Sequence, residues 1–225
     1  HHFRLWNTDS NTKRTGSFTL VGGEVYNNIA IAAMKPDDTH IARGYTHNID
    51  GTNGEIALKP ASTATCDPSF LASENKLSVN FSDGIGQISR HTSSGSVISG
   101  FSYSDIGDTS FHILDKSYTS TDQHTSPRED DCVRGSSSND PTQDPEGRVG
   151  CNIKIEDVED YLFKPKEIQI SNLKIEKDDE VTYLDSEGVQ KAKLTFDVVA
   201  KLGNNQAARL YKDGCYARAT SFDIK

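Results

Sequence analysis

The sequence predicts an α+β fold that is mostly β: antiparallel sheets with a C-terminal β meander, one N-terminal helix segment and long loops. Three observations carry this. Ala192, Leu194, Phe196, Val198, Ala200 and Leu202 alternate with Lys191, Lys193, Thr195, Asp197 and Lys201, which gives one strand an apolar face and a wet one. Leu77, Val79 and Phe81 alternate in the same way, and Asp83-Gly84 turns the chain into Ile85 to Arg90, a β-hairpin signal. Hydrophobic residues make up only 34% of the 225, the balance of a solvated, loop-rich β protein.

Taken in order, the first element is the stretch Gly23 to Met34, GEVYNNIAIAAM. It sets Val25, Ile29, Ala32 and Ala33 on one helical face and is ended by Lys35-Pro36. Its β-branched content keeps a strand alternative open. Asn48 to Gly54 is a tight connection and Glu55 to Lys59 a short strand. After the hairpin, Val97 to Tyr103 and Ser110 to Leu114 form a second apolar pair of strands. Asp115 to Gly150 is then a long polar surface excursion, hydroxyl-rich from Ser117 to Ser126 and dense in Gly, Ser, Asn, Asp and Pro from Arg134 to Arg148.

Ile155, Val158 and Leu162 predict a short amphipathic helix, IEDVEDYLF, that stops at Lys164-Pro165. Ile168 and Ile170 alternate, then Leu173 and Ile175 take the opposite phase, so a bulge is expected near Asn172. Val181 to Leu184 reads as a strand and Asp185 to Gly188 as a turn. Gly203 to Asn205 and Lys212 to Gly214 are further turns, and Cys215 to Ile224 closes the meander with Tyr216, Phe222 and Ile224. The chain length suits one β-rich domain over residues 1–225, with 115–150 as an excursion within it.

The four cysteines, Cys66, Cys132, Cys151 and Cys215, contain no C-x-x-C pair and match no zinc spacing, so two disulfides are the default. Spacing favours Cys132 with Cys151, closing the stretch least able to pack, and Cys66 with Cys215. Cys151 with Cys215 is the alternative, and four free buried thiols the other reading. Paired cysteines indicate an extracellular or periplasmic protein.

A formal net charge of −9 argues against nucleic acid or an anionic membrane surface as a partner. No apolar run reaches membrane-spanning length, so contact with a membrane would need an N-terminal helix missing from this chain. His1 and His2 resemble a purification-tag remnant, in which case whatever preceded Phe3 has been cut away.

Little in the chain promises catalysis. His40, His47, His91, His112 and His124 share no short motif, and neither H-E-x-x-H nor G-x-S-x-G occurs. Gly84-Ile-Gly86 lacks the third glycine of a dinucleotide loop. No catalytic residue and no cofactor are assigned. Calcium is the one cation worth carrying: Asp50, Asn53 and Glu55 offer oxygen ligands within one turn. In the long loop, Asp130, Asp131, Arg134, Asp140 and Asp144 are candidate binding residues. Trp6 is the only Trp and the tyrosines are spread out, so an aromatic sugar platform has little support.

The helix-like GEVYNNIAIAAM, the late sheet KAKLTFDVVAKL and CYARATSFDIK, and a cysteine, Cys215, close to the end together resemble the globular heads of type IV pilins and type II secretion pseudopilins, particularly the larger minor subunits. The resemblance covers about the first 45 and the last 60 residues. It implies a non-enzymatic filament subunit of a bacterial surface, whose hydrophobic N-terminal helix is absent here and whose partners are other subunits or a surface receptor. Two other function classes fit the same features. One is a secreted adhesin or carbohydrate-binding β sandwich that uses the 115–150 excursion. The other is a secreted hydrolase whose residues meet only in three dimensions.

Overall fold

The computed structural model describes residues 2–14, 17–63, 65–117, 124–155, 159–176 and 193–217. Its strands are β1 (His2–Asn7), β2 (Thr12–Lys13), β3 (Phe18–Val21), β4 (Ile29–Met34), β5 (Asn48–Ile49), β6 (Gly54–Pro60), β7 (Lys76–Ser82), β8 (Ile85–His91), β9 (Val97–Ser99), β10 (Gly107–Asp115), β11 (Ile153–Lys154), β12 (Glu159–Lys164), β13 (Glu167–Glu176) and β14 (Lys193–Lys201). The main sheet runs β2-β1-β4-β8-β7-β6-β10-β12-β3, with β5 on β7, β9 on β8 and β11 on β10, while β13 and β14 form a separate ribbon. Every pairing is antiparallel except β12 with β3, so the sheet is mixed. It curls until Phe3 of β1 forms a bridge with Ile155, beside β11.

Alternation explains most of the core. In β7, Leu77, Val79 and Phe81 point inward, and in β10 Phe111 and Ile113 do so. The enclosed face is aromatic: Phe81 stacks on Phe3 with ring centroids 5.3 Å apart and meets the Tyr45 edge at 4.8 Å. Phe101 lies 5.1 Å from Tyr161, and Tyr103 lies 4.9 Å from Phe163. The expected hairpin closes through Asp83 and Gly84, with φ of 53° and 81°. A type I′ turn of this kind needs both residues left-handed, which glycine tolerates freely.

Two expected helices are strands instead. Of the stretch Gly23 to Met34, the run Ile29–Met34 is β4, all six residues buried. Ile29, Ile31 and Ala33 face the main core, whereas Ala30, Ala32 and Met34 join Trp6 in a second small cluster under Ile41 and Ile85. A strand covered on both faces carries no period of two, so its apolar run mimics a helix face. In IEDVEDYLF, residues 159–163 belong to β12. Tyr161 and Phe163 are buried and Leu162 is exposed, an alternation that outweighs the three-to-four spacing of Ile155 and Leu162. Val158 lies outside the described residues. Among the described residues no helix reaches seven residues, and none is long and apolar enough to cross a membrane.

The C-terminal segment, expected to close a meander, is described only as far as residue 217. Cys215 and Tyr216 sit in turns that follow Leu210, and residues 218–225, like Val181 to Gly188, lie outside the described residues. This segment is nevertheless fastened. Cys66 is bonded to Cys215, with Cα atoms 4.7 Å apart, and Cys132 to Cys151 at 5.0 Å, as the spacing favoured; no cysteine is free. Two disulfides suit maturation in an oxidising compartment.

The chain-entropy model assigns about 5 kcal/mol to the long Cys66–Cys215 closure and about 3 kcal/mol to the short Cys132–Cys151 closure. Replacing Cys66 and Cys215 together by Ser is therefore expected to lower the urea midpoint more than the same change at Cys132 and Cys151. The reverse order would show that the short loop, not the long closure, limits stability.

Candidate functional site

The long excursion supplies the first group of expected site residues, and it is organised by its own side chains. Asp130 is buried, and its carboxylate accepts from the Arg134 guanidinium and from the His124 N–H. Asp140 accepts the Thr142 N–H at 2.9 Å and caps the short 3-10 turn Pro141–Gln143, whose proline needs no donor there. Asp144 takes both Arg148 Nε, at 3.0 Å, and Nη2, at 3.1 Å. Arg148 also donates to the Pro127 and Asp130 carbonyls, which draws the two ends of the loop together beside the Cys132–Cys151 bond. Of the expected binding residues, Asp130, Arg134, Asp140 and Asp144 are thus occupied within the loop, and Asp131 is exposed.

Protonation reads out this arrangement. The Arg148 guanidinium, helped by two backbone N–H groups, holds the Asp144 carboxyl down to about 2, and Arg134 lowers Asp130. A carboxyl depressed below its unfolded value, roughly 4, stabilises the fold above that value and loses the contribution as pH falls through the folded value. Amide protection across residues 127–150 should therefore drop as pH is lowered from roughly 4 to 2, while β7 and β8 stay protected. Arg148→Gln should show the open loop already at neutral pH. Unchanged exchange in both cases would mean that the disulfide alone orders the loop.

The calcium set is dispersed in its contacts. Asp50 accepts from the Thr52 N–H and hydroxyl at 3.0 and 2.6 Å, and Glu55 pairs with Lys116 at 2.6 Å and His112 at 3.4 Å. Asn53 donates to the Asn48 carbonyl at 2.5 Å. Among the described residues no three His, Cys, Asp or Glu side chains gather as a metal site would require.

One polar cluster was invisible in the sequence. Buried Asp115 accepts the Tyr45 hydroxyl at 2.6 Å and the Ser117 N–H at 2.9 Å, while Ser117 Oγ lies 2.9 Å from His47 Nε2. Asp115 approaches that same nitrogen at 3.7 Å. In a Ser-His-Asp relay the carboxylate holds the opposite ring nitrogen, so this geometry differs from one. The cluster ties β10 to the chain after β4. Residues 45, 47, 115 and 117 share no motif that could have announced it.

Two further surfaces stand out. A cleft of about 760 Å³ is lined by Trp6, Lys35, His40, Arg43 and Tyr45. Trp6 is only 8% exposed, so it does not offer a ring face as a platform. The second surface is the β13–β14 ribbon, paired Ile168 to Ala200, Ile170 to Val198 and Ile175 to Leu194. The expected bulge falls between Ser171 and Lys174, with Asn172 at φ 53° and its amide donating to Asp197 at 2.6 Å. That one extra residue returns Leu173 and Ile175 to the face of Ile168 and Ile170. The face is exposed: Ile168, Ile170, Leu173, Ile175 and Val198 all meet solvent, and burial begins only at Ala200 and Leu202. Among the described residues the expected buried face of this strand is thus fully buried only at its base and half-buried at Leu194 and Phe196.

The chain matches no family model, and neither the curated proteins nor the solved structures gave a match.

Proposed function

We propose that this is a non-enzymatic extracellular or periplasmic subunit that works by assembly, and that the apolar face of the β13–β14 ribbon is its contact with a second copy of the chain. The exposed row of Ile168, Ile170, Leu173 and Ile175 carries this reading. An isolated two-stranded sheet is marginal in water and gains stability when its apolar face packs on another layer. Large apolar side chains collected on one face, and kept there across a bulge, are what such packing requires. Two identical ribbons supply the matching layer about 10 Å away, each burying the other's row about a two-fold axis. The bulge also blunts the outer edge of β13 against open-ended strand addition, which favours contact through the face.

The pilin resemblance supports the reading in part. Of its late segments, KAKLTFDVVAKL supplies strand β14, while CYARATSFDIK lies mostly outside the described residues; Cys215 is disulfide-bonded, and the N-terminal helix segment is strand β4. A two-fold contact closes a pair, so a filament would need a second, head-to-tail surface as well.

Sedimentation equilibrium is the test. The native chain should form dimers, more readily as salt screens the mutual repulsion of two chains of charge −9. Ile170→Lys should be monomeric, with a thermal midpoint equal to that of the native chain diluted until it too is monomeric, since the side chain is half exposed in the single copy. A native chain that stays monomeric, or a variant that associates equally well, would overturn the proposal.

A further inference from the structure

The segment after β6 builds a feature that assembly does not use. Residues 65–75 form the 3-10 turn Ser69–Leu71, held by the Cys66–Cys215 bond and by the Thr65 hydroxyl on the Gly214 carbonyl at 2.5 Å. Between this segment and β6 lies a cavity of about 470 Å³, a size suited to a small molecule. Ile56, Leu58, Pro68 and Leu71 give it an apolar body, Lys59 and Lys76 stand among its exposed lining residues, and Tyr103 forms part of its wall.

Tyr103 is the unusual member. It is fully buried, yet among the described residues its hydroxyl has no hydrogen-bond partner. Leaving such a group unpaired costs free energy, and buried hydroxyls are normally satisfied. The neighbouring polar groups are spent elsewhere: Asn75 donates to the Leu71 carbonyl and Ser104 Oγ and accepts the Ser104 N–H, and Asp105 accepts from the chain around Arg209. Burial, reinforced by nearby Asp105, raises the Tyr103 pKa, which keeps the hydroxyl protonated and able to donate. Asp67 is the acidic residue of the lining, and it is turned onto the Ser69 N–H at 2.9 Å, so the two lysines leave the opening positive.

We infer that this cavity binds a small aryl carboxylate bearing a ring hydroxyl: the ring on Ile56, Leu58 and Leu71, the hydroxyl on Tyr103 Oη, and the carboxylate near Lys59 and Lys76. Because Tyr103 has no accessible surface, the ligand shifts a wall side chain slightly as it seats. The inference is independent of the ribbon, which lies on other strands.

The experiment titrates the intact, oxidised protein with 4-hydroxyphenylacetate and with phenylacetate, read by protein amide shifts. The hydroxylated probe should bind about five- to tenfold more tightly, the worth of one buried hydrogen bond. Tyr103→Phe should erase that preference while leaving the thermal midpoint unchanged or higher, because it deletes an unpaired group. Ala72→Phe, at an exposed lining position, should block both probes without disturbing the core. Failure of either probe to bind, equal binding of the two, or a preference that survives Tyr103→Phe would overturn the inference. A destabilised Tyr103→Phe would overturn it too, by showing that the hydroxyl holds a structural water.

Discussion

A single buried carboxylate holds the two ends of this fold together. Asp105 has no solvent exposure and lies between Tyr103 and the start of β10; it accepts the N–H groups of Ile106, Arg209 and Leu210 at 2.9, 3.1 and 3.2 Å and the Arg209 Nε at 3.2 Å. A carboxylate taken out of water is tolerated only when its oxygens are satisfied, and here three of the four donors come from a segment more than 100 residues away. Arg209 then continues to Glu74 with two contacts, 2.8 and 2.6 Å, and lies over the Phe70 ring at 4.9 Å. Glu74 lends its carbonyl to buried Arg90 at 2.7 Å. Packing around the hub is tight: a Cβ on Gly22 would lie 2.0 Å from the Asp105 carbonyl oxygen, so no larger residue fits there.

This clamp and the Cys66–Cys215 bond act on the same two segments, residues 66–75 and 207–217. One is electrostatic and the other covalent, and together they fasten the described part of the C-terminal segment. Everything that gives the molecule surfaces to work with depends on that closure. The cavity beside β6 has one wall on the clamped segment, and the β13–β14 ribbon is rooted through Ala200 and Leu202, immediately before it. Leu202 and Ala208, flanking the turn at Asn205, are buried in the core.

What the sequence made legible follows the physics of each element. Strands with one wet face, β7 and β8 above all, declared themselves through alternation and turn residues. The bulge at Asn172 was readable because a phase change in an alternating strand has few other causes. β4 was not readable, since burial on both faces removes the polar half of the signal and leaves IAIAAM equally good for a helix. β14 misled in another way: alternation reports that a strand has two unlike faces, not how far the apolar one is buried. The loop acids were visible as acids, but Asp144 read as a candidate binding residue when it pairs with Arg148 four residues on. Asp105, Tyr103, Asp115 and Tyr45 acquire their roles only from tertiary contacts, and no local pattern could have found them.

The central claim, that the Asp105 hub closes the fold beyond what the disulfide does, is tested most directly by urea unfolding of Asp105→Asn with both disulfides intact. The substitution keeps the shape of the side chain while removing the charge that Arg209 faces and turning one acceptor into a donor opposite backbone N–H groups. A loss of about 1–3 kcal/mol is predicted, the cost of leaving buried backbone N–H groups facing a donor. Stability equal to that of the native chain would contradict the account and leave the covalent bond as the sole closure.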